Sequence, residues 1–153
     1  MPTTRPLDSY LQDHLMGASA GLALFHRAAA NLPEVAPLVT EVARDREALL
    51  RILAAVGVRP DRRKVLAGRV AERVGRLKRN GRLLRRAPLS DVVELEALVL
   101  GVQGKLAGFR LLRALEDPRL AGEDLDGLVA RAQGQADRLE QLRLRRGVEV
   151  LGS

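Results

Sequence analysis

A chain of 153 residues with 26 basic and 19 acidic side chains, net +7, and 46% apolar residues is sized for one domain with a real core, and residues 1–153 are read as one. It contains no cysteine, which excludes disulfides, thiolate metal sites and cysteine nucleophiles. Tyr10, Phe25 and Phe109 are its only aromatics, too few for a base-stacking platform. The opening Met-Pro-Thr-Thr-Arg-Pro lacks the apolar core of a signal peptide, and no stretch approaches the ~20 apolar residues of a membrane span, so a cytoplasmic location is expected.

Abundant Ala, Leu and Arg with scarce Thr and Ile predict helix nearly throughout. The first helix is read over 9–30, capped by Asp8 or Ser9 and stopped by Asn31 and Pro33. Leu11, His14, Leu15, Ala18, Leu22, Phe25 and Ala29 recur at three or four residues and form its buried stripe. Gly17 to Gly21 are all small, a pattern that lets a neighbouring helix come close. The second helix is read over 34–56, with the stripe Val35, Leu38, Val42, Asp45, Leu49, Ile52 and Val56 and with Gly57 as its stop.

Residues 57–90 read as a long connection with a helix of its own at 61–78. The third helix, 91–115, is capped by Ser90. Its main stripe is Val92, Leu95, Val99, Val102, Leu106 and Phe109, and a second is Val93, Leu100 and Leu111. A helix apolar on so many sides is expected to be buried on several of them, either under the basic connection or in a homodimer. Asp117-Pro118 ends it. The fourth helix, 123–146, buries Leu125, Leu128, Val129, Ala132, Ala136, Leu139 and Leu142, and 147–153 are expected to fray.

Two tight hairpins joined by one long crossover, over residues 9–56 and 91–146, resemble the ferritin-like plan. Asp13-His14-Leu15, Leu83-Leu84-Arg85-Arg86, Pro88-Leu89-Ser90, Glu94-Leu95-Glu96-Ala97-Leu98 and Gly104-Lys105-Leu106 are also similar to an uncharacterised family of short helical bacterial proteins, a likeness that implies no activity. The ferritin-like resemblance implies a di-iron centre built from Glu and Glu-x-x-His on facing helices. This sequence departs from that pattern. Arg44 follows Glu41 at the third position, Ala48 follows Asp45, and Glu140 follows Asp137. The two histidines, His14 and His26, lie on one helix about 120° apart. The remnant of such a centre would be His14, Asp45 and Glu96, read first as a His14–Asp45 hydrogen bond and second as a carboxylate metal site. No cofactor is expected. The four serines include two read as caps, and Ser19 points away from His14, so no Ser–His nucleophile is expected either.

The charge is concentrated. Residues 59–86 hold twelve basic residues against Asp61 and Glu72, while the rest of the chain is net −3. In the predicted 61–78 helix, Arg62, Arg69, Arg73 and Arg76 form one ridge within about 60°, and Arg79, Arg82, Arg85 and Arg86 continue it. Leu66, Val70, Val74 and Leu77 form an apolar strip beside it. A solvated face paired with acids is the plain reading. A nucleic acid or other anionic partner is the alternative, and a membrane surface is disfavoured because the strip is short and lacks Trp and Phe. Only Lys64, Lys78 and Lys105 are lysine, an arginine bias that genome composition explains before phosphate recognition does. The sequence therefore reads as a non-enzymatic binding or scaffold bundle that forms a homodimer. A ferritin-like metal or redox protein and a non-specific nucleic-acid binder are its rivals.

Overall fold

The computed structural model describes residues 5–63 and 87–153. Among the described residues the structure is all-α, with four long helices and no strand: α1 Pro6–Ala29, α2 Ala36–Ala55, α3 Pro88–Ala114 and α4 Leu125–Leu151. Short 3₁₀ turns, Pro33–Val35 and Pro118–Leu120, lead into α2 and α4. None of the described helices is long and apolar enough to cross a membrane.

The helix ends correct several expectations. α1 starts at Pro6 and α3 at Pro88, each three residues before its expected start, and neither uses a side-chain cap. Proline at the first helical position has φ already set and lacks only an N–H that would be unbonded there, so it outranks Asp8, Ser9 or Ser90 as a start signal. At the end of α2 the expectation holds in detail. Gly57 takes φ 78°, its N–H donates to the Ala54 carbonyl, and Val58 N–H reaches the Leu53 carbonyl at 2.8 Å, the Schellman pattern. Val58 is buried as the apolar member of that motif.

α4 does not fray at 147 but continues to Leu151. Arg146 reaches back to Asp91 at 2.7 Å and forward to Glu149 at 3.0 Å, tying the last turns to the start of α3. Its first turn is closed by Asp124, whose carboxylate accepts from Gly127 N–H at 2.9 Å.

Pairings between helices give their directions. α1 and α2 are antiparallel, through Ser19–Arg46 and Gln12–Arg59. α3 and α4 are antiparallel, through Asp91–Arg146 and Arg113–Asp126. Glu41–Arg138 and Arg51–Glu123 run α2 against α4, so α2 and α3 point the same way.

The core forms two clusters. Leu11, Leu15, Ile52, Leu53, Leu106 and Leu112 centre one, and Phe25, Leu38, Val42, Leu95, Leu98 and Leu139 the other. All seven residues of the expected α2 stripe are buried. On α3 the main stripe is buried, apart from half-buried Val99, but the second stripe is not: Val93, Leu100 and Leu111 remain exposed. The basic connection expected to cover this side of α3 lies mostly outside the described residues.

Candidate functional site

Asp45 lies where the α2 stripe meets α3 and α4, with 1% of its surface exposed. Three donors surround it. Lys105 Nζ on α3 lies 2.7 Å from one carboxylate oxygen, Gln135 Nε2 on α4 donates to the same oxygen at 2.9 Å, and Arg131 Nε reaches the other at 2.5 Å. Lys105 Nζ also donates to Gln135 Oε1 at 2.5 Å, so the cluster closes on itself. Beside it, Arg138 grips Glu41 through both terminal guanidinium nitrogens, at 2.9 and 2.5 Å. That fork holds the Glu41 carboxyl below the usual carboxylate range. Burial pushes Lys105 below the usual lysine range, and the neighbouring Asp45 charge opposes this. A buried carboxylate so surrounded is satisfied rather than poised to attack.

His14 is placed differently from the expectation. Its ring lies against Tyr10, with centroids 4.4 Å apart, and over Gly108 of α3. A Cβ at Gly108 would fall 2.6 Å from His14 Cε1. The expected His14–Asp45 hydrogen bond is replaced by the Lys105, Arg131 and Gln135 contacts, because two cations within reach of a buried carboxylate outbid a neutral imidazole. Burial lowers the His14 pKa, with nearby Asp13 opposing. Glu96 is remote from both, half exposed, with Arg143 3.5 Å away. His14, Asp45 and Glu96 are therefore not brought together, and among the described residues no group of three or more acidic or histidine side chains is gathered as a metal site.

Between α1 and α3 runs a cleft of about 980 Å³. Phe25, Val42, Leu49, Leu98 and Val102 line it, and Asp45 and Lys105 border it. Its walls are made by missing side chains: a Cβ added at Gly17, Gly21, Gly101 or Gly104 meets nothing within 4 Å. The small residues of these two helices, expected to draw neighbours close, hold the seam open instead. Only at Gly108 does a side chain, that of His14, fill the space.

Sequence reasoning missed Lys105, Arg131, Gln135 and buried Ser19, whose hydroxyl accepts from Arg46 Nε at 3.0 Å. Gln135 had a visible signal, since it falls on the line from Leu128 and Ala132 to Leu139. Of the arginines assigned to an anionic partner, Arg62 is exposed just beyond α2, while Arg69, Arg73, Arg76, Arg79, Arg82, Arg85 and Arg86 lie outside the described residues. Most of the 61–78 helix expected there lies outside them as well. Comparison of the chain with protein-family models, with curated proteins and with solved structures returned no match.

Proposed function

We propose that this chain is a non-enzymatic binding protein on a ferritin-like bundle plan, and that it takes an uncharged, apolar ligand into the cleft between α1 and α3. The glycine-walled cleft is the observation that carries this reading. Its volume lies at the upper end of the roughly 300–1,000 Å³ of small-molecule sites, and its floor is core hydrocarbon. The charges around it are already engaged within the chain. Asp45 is held by Lys105 and Arg131, Arg46 lies 3.7 Å from Glu47, and Arg27 lies 3.8 Å from Glu94. A charged ligand would have to break one of these pairs, whereas an apolar one gains burial without that cost.

Titration with Nile red, a neutral apolar fluorophore, tests the proposal. Gly17→Leu and Gly21→Leu start side chains at positions where a Cβ meets nothing within 4 Å, so the protein should fold and lose at least about tenfold in dye affinity. Unchanged affinity in both variants would place the dye elsewhere and end this reading.

The clustering of charge in 59–86 supports a second reading, contact with a polyanion. Arg59, Arg62 and Arg63 stand exposed where α2 ends. Binding to a random DNA duplex that weakens steeply with salt, and is lost when Arg69, Arg73 and Arg76 become Glu, is the expected result. Absence of binding at low salt would reject it.

A further inference from the structure

Lys105 stands apart from the other cations of this chain. Three of the 26 basic residues are lysine, and Lys105 is the one that falls among the described residues. Buried carboxylates elsewhere are matched by arginine, Asp91 by Arg146 and Glu94 by Arg27. Arginine also reaches the second oxygen of Asp45, so charge matching at this carboxylate does not by itself call for lysine. What lysine adds is an amine that can become neutral and nucleophilic, which a guanidinium cannot.

The surroundings of Lys105 favour that use. It shares the cleft wall with Leu49, Val102 and Phe109, and only 15% of its side chain is exposed. Burial lowers its pKa from the usual lysine value; Asp45 opposes this and Arg131 adds to it. An ammonium carries three N–H groups. Here one donates to Asp45 Oδ2 at 2.7 Å and one to Gln135 Oε1 at 2.5 Å, and the third has no partner among the described residues.

We propose that Lys105 captures an apolar aldehyde in the cleft as a protonated imine, with Asp45 as proton acceptor and counter-ion. The inference rests on the apolar-ligand reading of the cleft and names the ligand's reactive group. Asp45 takes a proton from the ammonium, and rotation about Cε–Nζ turns the freed lone pair to the direction left without a partner. Nζ then attacks the carbonyl carbon. The C–N bond forms, and a proton passes from nitrogen to the former carbonyl oxygen. Protonated Asp45 returns its proton to that hydroxyl, the C–O bond breaks, and one water leaves. The product nitrogen keeps its positive charge and one N–H, so the pair with Asp45 survives. The cost is the hydrogen bond to Gln135 Oε1. An uncharged ligand is thus fixed without breaking any ion pair of the cleft.

Nonanal is the probe. Native mass spectrometry of the full chain should show one adduct at the aldehyde mass less one water. Reduction with cyanoborohydride and peptide mapping should place it on Lys105, at least about tenfold above Lys64, Lys78 and the amino terminus. Gly21→Leu should cut the Lys105 adduct at least about tenfold, and Lys105→Arg should abolish it. An adduct at the full aldehyde mass, or labelling spread evenly over the amines, would overturn the proposal. So would a Lys105 adduct unchanged in Gly21→Leu, because the aldehyde would then not arrive through the cleft. If wild-type protein still binds Nile red, such a failure leaves the cleft reading standing; if it does not, both fall together.

Discussion

α3 has two long neighbours and meets them in opposite ways. Against α4 the seam is closed: Leu95, Leu106 and Leu139 are buried, and Asp91–Arg146, Glu96–Arg143 and Arg113–Asp126 run along its edges. Against α1 the same helix touches mainly near the ends, at Gly108 with His14 and at Glu94 with Arg27, while Gly101 and Gly104 face open space. The difference shows that a small residue permits close approach without causing it. A seam closes where facing side chains are long enough to meet, and stays open where both helices offer glycine.

The largest effect should come from the closed side. Asp45→Ala leaves the largely buried Lys105 without its counter-charge and releases the partly exposed Arg131, and should cost about 3–5 kcal/mol in denaturant unfolding. Glu41→Ala breaks a fork whose arginine is half exposed, and should cost under about 1 kcal/mol. Equal losses would mean that the Asp45 cluster is no more buried than a surface pair.

The open side predicts a pH dependence. His14 is held below its ordinary 6.5 by burial, so between that folded value and 6.5 the unfolded chain binds more protons than the folded one. Stability should therefore fall as pH drops through 6.5, and His14→Gln should flatten that limb. Glu41 and Glu140, lowered by Arg138 and Arg143, contribute stability that is present above about pH 4.5 and lost only as pH falls through their folded values. The His14 limb is thus separate from theirs. A wild-type profile flat between pH 5 and 7 would contradict the placement of His14 over Gly108.

The bundle itself was legible because apolar spacing reports burial directly, and the α2 stripe from Val35 to Val56 was read without error. Helix starts were less legible because two signals competed, and proline at Pro6 and Pro88 prevailed over the nearby Asp and Ser caps. The cleft was hidden for a deeper reason. Glycines at 17, 21, 101 and 104 have the same spacing whether helices touch or part, and only the length of the facing side chain decides. Asp45 was found on its stripe, yet its partners come from α3 and α4, and which donor reaches it depends on how those helices are set.

The most direct test of the open seam is the melting temperature of two alanine variants measured side by side. Gly21→Ala adds a methyl to empty space and removes backbone freedom from the unfolded chain, so it should stabilise by about 0.5–1 kcal/mol. Gly108→Ala gains the same helix preference but drives into a His14 ring backed by Tyr10, and should lose about 1 kcal/mol net. Opposite shifts are the predicted result. Destabilisation by both would mean that α1 and α3 are packed along their whole length, and that there is no cleft.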